Sequence, residues 1–318
     1  MEIDAGGKTV SLTNLDKLFW PERGITKGDL VEYYADVAPL LLPHIRERPM
    51  VMKRYPDGAA GQFFFMKRTP SLRPDWLRTC RVESIDYPLI DDLAALLWVV
   101  NLGCIDLNPF YARCDDVDRP DFLHLDLDPG GASFDDVRAA ALIVRDAFVG
   151  LGIEPLVKTS GGKGLHVYVP IVRGPTQHEV WTFSKALALH LAAAHPTLLT
   201  AEYKVAKRPA RRVLLDYNQN AWGRTLASIY SVRPTPVASV STPLAWRELE
   251  RGARPEDFRL DNVRARFAKL GDLWADAPLA DLTEVTARLR GPRAATAPTR
   301  RPGTARRGSP AHRRARPR

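Results

Sequence analysis

Ten residues, Asp121-Phe122-Leu123-His124-Leu125-Asp126-Leu127-Asp128-Pro129-Gly130, restrict the fold more than any other stretch of this chain. Successive side chains of a β-strand point to opposite faces, so Leu123, Leu125 and Leu127 would line a core while His124, Asp126 and Asp128 share the other face. Pro129, Gly130 and Gly131 stop the strand at once and leave the two carboxylates at a strand end. At about 3.3 Å rise per residue their Cβ atoms stand roughly 6 to 7 Å apart, so the oxygens can converge on one or two hard divalent cations. A solvated acidic face is the plain alternative. Against it, no basic residue is interleaved to relieve the like-charge repulsion.

Composition sets the frame for that strand. With 318 residues, 45% hydrophobic and 26% charged, the chain is long enough to bury a sizeable core in one large or two smaller domains. Its longest apolar run, Leu93 to Val100, is far short of the roughly 20 residues that span a bilayer, and the acidic start Met1-Glu2-Ile3-Asp4 does not read as a secretory signal. Cys80, Cys104 and Cys114 form no CxxC pair, which argues against a disulfide scaffold and against a zinc ribbon. The expectation is a cytoplasmic protein. From Gly291 onward there are nine arginines and no acid, so this tail carries the whole formal net charge of +9 and the body is neutral. Residues 291–318 are therefore expected to be a disordered Arg-rich tail that binds polyanions without sequence preference, or that serves only solubility.

In chain order, Thr26 with Asp29 three residues on predicts a helix N-terminus, running to about His44 with Leu30, Tyr33, Tyr34, Val37 and Leu40 inward. Lys17 and Lys27 flank the preceding turn, either as solvated surface or as an anion site. Met50 to Pro56 and Phe63 to Arg68 suit two strands joined by the Gly-rich turn Asp57 to Gly61. Neighbours on a strand point opposite ways, so at least one of Phe63, Phe64 and Phe65 should be exposed beside Lys and Arg, as a base-stacking platform; a strand buried on both faces is the alternative. Asp91 to Leu102 reads as a helix and Cys104 to Phe110 as a strand. Ser133 to Gly150 reads as a helix with Ser133 as N-cap and Gly150 as C-cap. With strands at Leu156–Thr159 and Leu165–Pro170, the order around it matches half of a split βαβ layout.

The turn Ser160-Gly161-Gly162-Lys163-Gly164 is not a P-loop, because Lys163 is followed by Gly164 and a strand where a Walker motif needs Ser or Thr and a helix. Its backbone N–H groups, with Ser160 and Lys163, can still cradle phosphate. His166 shares a strand face with Tyr168 and could donate to a triphosphate, or be a surface histidine. A helix at Trp181–Ala194 precedes the strand Ala210–Asn218, where Asp216 is either a third metal ligand or a turn cap. Thr225 to Pro234 reads as a strand that delivers Arg233, a fork suited to phosphate oxygens. Two short helices, near Trp246 and over Val263–Leu270, would form a C-terminal cover.

Five motifs in order then carry a resemblance: Leu12-Thr13-Asn14-Leu15-Asp16-Lys17; Lys53-Arg54-Tyr55-Pro56-Asp57-Gly58; Asp126-Leu127-Asp128-Pro129; Lys158-Thr159-Ser160-Gly161-Gly162-Lys163-Gly164-Leu165-His166-Val167; and Asp216-Tyr217-Asn218-Gln219-Asn220 with Ser231-Val232-Arg233. Over roughly residues 8 to 275 the chain resembles the polymerase domain of bacterial ligase D of non-homologous end joining, in the archaeo-eukaryotic primase superfamily. The resemblance implies an α+β, primase-like fold with central mixed and antiparallel sheets, an RRM-like catalytic half and flanking helices. Residues 1–290 would form the catalytic domain: a DNA-end-binding part over about 1–120, a metal and nucleotide core over about 121–240, and a helical cover over about 241–290.

The resemblance further implies a nucleotidyltransferase that extends DNA ends, fills gaps, prefers ribonucleotides and uses two Mn2+ or Mg2+ ions. Asp126, Asp128 and Asp216 match its metal triad; Ser160, Lys163, His166 and Arg233 match residues that hold the nucleoside triphosphate, with Lys53 near the nucleotide. Lys17 and Lys27 match the pair on the 5′-phosphate of a gapped or recessed end, and Phe64 and Phe65 match aromatics on the template. Asn108 stands where many members carry histidine, and Gln219 where some carry arginine. The residues themselves fit two-metal phosphoryl transfer, and carboxylates without thiolates suit magnesium or manganese. No KxDG adenylation motif is found, so Ku and a separate DNA ligase would be the expected partners of a monomeric, nucleoid-associated polymerase unit. Gap filling in excision repair, a metal-dependent nuclease or phosphatase on the same aspartates, and a non-catalytic end-binding module remain alternatives.

Overall fold

In the computed structural model, which describes residues 1–290, two sheets meet edge-on around a cavity. The tail at 291–318 lies outside the described residues. The chain opens with the hairpin β1 (Glu2–Asp4) and β2 (Thr9–Ser11), then β3 (Leu18–Trp20) and β4 (Ile25–Thr26), also antiparallel. Thr26 accepts from the Asp29 backbone N–H while the Asp29 carboxylate accepts from Thr26, so the reciprocal cap read in the sequence does start α1 (Lys27–Ile45). Leu30, Tyr33, Tyr34 and Val37 are buried on its inner face, whereas Leu40 is only half-buried and Leu41 takes the core position.

β5 (Met50–Arg54) pairs with β6 (Phe64–Met66) across the Gly-rich turn, as expected. A separate hairpin follows, β7 (Thr79–Val82) with β8 (Ile85–Pro88). α2 (Leu93–Asn101) is capped by Asp92 and packs on α1. β9 (Cys104–Pro109) then takes the free edge of β5 and completes a three-stranded antiparallel sheet.

The second sheet begins with β10 (Phe122–Asp128). α3 (Phe134–Gly150), β11 (Leu156–Thr159), β12 (Leu165–Pro170), α4 (Gln177–Ala194), β13 (Leu199–Thr200), β14 (Val213–Asp216) and β15 (Pro243–Leu244) follow, and the strand order is β13-β14-β10-β12-β11-β15. β10 and β11 both run antiparallel to β12, which lies between them; β10-α3-β11 is therefore the split βαβ unit that the order of elements predicted. α3 and α4 pack on this sheet, and Leu123, Leu125 and Leu127 are fully buried. α5 (Trp246–Glu250), α6 (Val263–Leu270), which packs on α1, and α7 (Leu282–Arg290) complete the described chain. No described helix is long and apolar enough to cross a membrane.

Four expectations need correction. Thr225 to Pro234 is irregular backbone: Val232 makes an isolated bridge to Val240, and Arg233 is held by its N–H to Ser239 O, so a loop and not a strand delivers it. Gly150 is the last residue of α3 and Leu151 its C-cap, and the left-handed position after it belongs to Gly152 (φ 76°). α4 starts four residues before Trp181, because Thr176 and Glu179 form a cap there. Cys80 and Cys114 are bonded, their Cα atoms 5.8 Å apart, since the β7–β8 hairpin packs with Val51, Tyr87 and Phe110 in a second apolar cluster. The sequence separation of 34 carries no sign of that pairing.

Candidate active site

Strand register builds the site. On β12, His166 lies opposite Asp126; on β14, Asp216 lies opposite Asp126; on β11, Lys158 lies opposite His166. Directly opposed residues share a face, so one polar row, Lys158–His166–Asp126–Asp216, crosses four strands, with Asp128 next along β10. Ligand oxygens of Asp126, Asp128 and Asp216 lie within 4.8 Å of one another. Burial, then the charges of Asp128 and Asp216, push the Asp126 carboxyl well above the usual carboxylate range. Asp128, at the exposed rim, is raised by partial burial and by Asp216. Asp216 caps the turn, one of the two readings the sequence left open, and it also faces the other two carboxylates. Its Oδ1 accepts from Asn218 N–H (2.9 Å) and its Oδ2 from Gln219 Nε2 (2.9 Å), capping the turn while it faces the other two carboxylates.

His166 is buried, not at the surface, with Nε2 3.4 Å from Asp126 Oδ1. Burial, followed by Lys158 and Arg233, holds its pKa well below the usual value, so the ring is neutral. Lys158, which the sequence reading passed over, donates from a fully buried Nζ to Ser241 Oγ (2.6 Å) and Ala227 O (3.0 Å).

The glycine turn above this row is shaped by close approach. Gly164 sits against Leu127 O with no room for a Cβ, and Gly161 adopts φ 68° against Arg233 and Ser241. Ser160 Oγ accepts from the N–H groups of Gly162 (3.0 Å) and Gly164 (3.1 Å), which fixes the turn. Arg233 Nη1 donates to Ser160 O at 2.6 Å.

A second row comes from the three-stranded sheet, where Phe65 on β6, Lys53 on β5 and Asp106 on β9 are directly opposed. Lys53 Nζ lies over the rings of Phe63 (4.1 Å), Tyr55 (5.5 Å) and Phe65 (5.8 Å). Its pKa is lowered by burial, with Asp106 opposing the shift. Phe63, Phe64 and Phe65 are all exposed, by 49%, 43% and 60%, more than the single exposed ring that alternation demanded. His166 and Asp126 from the first row and all three residues of the second line a cavity of about 540 Å3, together with Asp128, Lys163 and Arg233 among others.

Lys17 and Lys27 stand together elsewhere, joined by Lys27 N–H to Lys17 O. Lys17 Nζ donates to Pro56 O (2.8 Å) and Asp57 (3.0 Å); Lys27 Nζ, buried, donates to Thr13 O (2.6 Å) and Asn101 (2.8 Å). Burial, then the charges of Lys17 and Arg54, bring Lys27 down to about 8.

With this geometry in place, the sequence profile of the family described as "LigD, primase-polymerase domain" matches residues 26–274. The chain belongs to that family. The multifunctional non-homologous end joining protein LigD of Mycolicibacterium smegmatis is 35% identical over 285 residues, covering 86% of this chain and 37% of that protein. The bifunctional LigD of Bacillus subtilis is 32% identical over 270 residues, 82% of this chain and 43% of its own. Among solved structures, the polymerase domain of Mycobacterium tuberculosis ligase D in complex with DNA superposes with a TM-score of 0.79 at 33% identity, covering 85% of this chain and 99% of that one. The chain thus spans about two fifths of the curated LigD proteins it matches and nearly all of the polymerase domain. As a LigD primase-polymerase domain it is of the nucleotidyltransferase class, and its mixed α/β fold is the one the resemblance implied.

Two charged groups of the rows escaped sequence reading. Lys158 stands in the quoted glycine-turn motif but is overshadowed by Lys163. Asp106 sits between Ile105 and Leu107 in a stretch that reads only as a buried strand. A lone carboxylate in an otherwise apolar strand was the available signal for Asp106.

Proposed function

We propose that this LigD-family domain extends DNA ends and fills short gaps in double-strand-break repair by non-homologous end joining, using nucleoside triphosphates. The observation that carries the reading is the convergence of Asp126, Asp128 and Asp216 within 4.8 Å, with Asp126 and Asp128 on the wall of a cavity that Lys53, Lys67, Lys163, Arg224 and Arg233 also line. The donor set fits two Mn2+ or Mg2+ ions: all candidate ligands are carboxylate oxygens, and burial together with mutual repulsion raises Asp126 and Asp128, so the cluster lacks positive charge. Bound there, a pair of such ions lowers the pKa of an attacking hydroxyl and neutralises a departing pyrophosphate.

Asp126, Asp128 and Asp216 would together hold the ions. Lys53, Lys163 and Arg233 neutralise the triphosphate, the Ser160 turn offers it backbone N–H groups, and neutral His166 donates from a ring nitrogen. The primer 3′-oxygen bonds to the α-phosphorus as the bond to the bridging oxygen breaks and pyrophosphate leaves. Lys17 and Lys27 take the 5′-phosphate of the downstream strand. Phe64 and Phe65, exposed beside Arg54 and Lys53, stack on template bases. The matched mycobacterial domain is described with DNA bound, which supports DNA as the partner here, and gapped, 5′-phosphorylated or 3′-overhanging DNA is the form proposed.

Ribonucleotide preference, a monomeric state, a cytoplasmic, nucleoid-associated location, cooperation with Ku and a separate DNA ligase, and polyanion binding by residues 291–318 complete the proposal. Residues 1–290 would work as one catalytic unit. Incubation with Mn2+, a labelled 5′-phosphorylated gapped duplex and ribo- or deoxyribonucleoside triphosphates tests it. Primer extension, faster with ribonucleotides, is the expected result; shortening of the primer, or no change in its length, would overturn the reading.

A further inference from the structure

Asp106 is the one carboxylate on the cavity wall, among the described residues, that stands outside the acidic triad. It is 1% exposed, in the middle of β9, and directly opposed across the sheet to Lys53. Arg233 Nε lies 3.2 Å from its Oδ2, and Asn108 Nδ2 donates to its Oδ1 at 3.3 Å. It therefore touches or faces two of the three cations assigned above to the triphosphate, Arg233 and Lys53. A carboxylate there is costly if it acts alone, because it repels the same phosphate oxygens that Lys53 and Arg233 are to attract.

We propose that Asp106 is a positioning residue for the incoming nucleotide, an inference that rests on the triphosphate role of Arg233 and Lys53. Arg233 comes from irregular backbone and needs side-chain partners to fix its fork. Asp106 Oδ2 lies in ion-pair range of Nε, whose N–H finds no hydrogen-bond partner, and Ser160 O accepts from Nη1, which leaves Nη2 for an anion in the cavity. The fork is thus locked between the two sheets, β9 on one side and the glycine turn on the other. Long cationic side chains lose rotamer freedom on binding, and a counter-charge that has already ordered them lowers that cost. Asn108 orients Asp106 in turn.

The sign of the effect separates this from mere charge competition. In Mn2+-supported extension of a 5′-phosphorylated gapped duplex, D106N is expected to raise KM for the nucleoside triphosphate about tenfold, the scale of one charge-assisted contact, with kcat within about twofold. Affinity for the duplex should be unchanged, D106E should give an intermediate KM, and D106N should add nothing on top of R233A. Unchanged or lowered KM in D106N, or an effect additive with R233A, would overturn the proposal. If R233A alone leaves KM unaltered, the triphosphate assignment falls and Asp106 with it; if R233A raises KM and D106N does not, only the role of Asp106 falls. Should D106N fail to fold, D106E decides: a raised KM with intact duplex binding supports the positioning role, and an unaltered KM ends it.

Discussion

In the six-stranded sheet the functional row runs through the middle of the sheet: Lys158, His166, Asp126 and Asp216 are each less than 9% exposed and each is flanked by paired strands. In the three-stranded sheet the row begins at an exposed edge, where Phe65 on the three-residue strand β6 is 60% exposed, and passes through half-buried Lys53 to buried Asp106. Register fixes the first row on both sides, so its charges are set before any ligand arrives and their repulsion is stored in the fold. The second row keeps one end in solvent, where aromatic and cationic groups gain most when a base or phosphate covers them. The proposed function thus places chemistry on the rigid sheet and nucleic-acid contact at the open edge.

Substitution in the rigid row tests that division most severely. Asp126→Asn is expected to lower single-turnover extension by on the order of a thousandfold or more, because ion binding supplies several kcal/mol of transition-state stabilisation. Gapped-duplex affinity should stay within about twofold, since the end-binding groups lie elsewhere. The same variant should melt higher than the parent without metal. Asp126 and Asp128 have folded-state pKa values above 3.8, so their protonated forms add stability below about that pH, and this contribution is lost as pH rises through the raised values. At neutral pH the ionised cluster is therefore a liability. Mn2+ at about a hundred times its dissociation constant should return roughly 2.7 kcal/mol in the parent, read as a thermal shift, and much less in Asp126→Asn. Equal shifts in both proteins would mean that the ions bind elsewhere.

How far the sequence announced all this follows the same division. Alternation in Phe122–Asp128, the Pro-Gly-Gly stop, the caps at Thr26 and Ser133, and the glycine turn are local signals, and local chemistry decides them, so the triad, α1, α3 and the split βαβ unit were legible. Arg233 was found but misplaced on a strand, because Leu226, Ile229 and Val232 are apolar for tertiary reasons: Leu226 and Ile229 line cavities and Val232 is buried in the core, and none belongs to a regular strand. The Cys80–Cys114 bond and the Asp106–Arg233 pair join segments that only the folded chain brings together. Burial of His166 escaped notice for the same reason: a histidine two residues from a glycine turn reads alike whether or not another sheet covers it.

At the open edge smaller effects are expected. Phe65→Ala should weaken binding to a duplex with an unpaired template base by about 1–3 kcal/mol, the usual worth of one base stacked on an aromatic ring. It should leave the melting temperature nearly unchanged, because the ring is already mostly in solvent. Fluorescence anisotropy on gapped and fully paired duplexes separates the two terms. A loss of the same size on both would show that Phe65 contacts backbone and not an exposed base.

The smallest effect concerns the lysine pair, which lies outside both rows. Lys27 titrates near 8, lowered by burial and by Lys17, whereas a terminal phosphate gains its second charge near pH 6. The preference for a 5′-phosphate over a 5′-hydroxyl end should therefore be greatest between those values, at about fivefold or roughly 1 kcal/mol for a contact that shares its lysine with Thr13 and Asn101. Above pH 8 the free protein loses the Lys27 proton and must regain it on binding, so the preference declines as pH rises towards 9. Lys27→Met should remove both the preference and its alkaline limb. Lys17→Met should weaken the preference but move the limb to higher pH, because removing the neighbouring cation lets Lys27 hold its proton longer. An alkaline limb that stays in place in Lys17→Met would mean that burial alone sets the titration of Lys27 and that the two lysines do not act as one site.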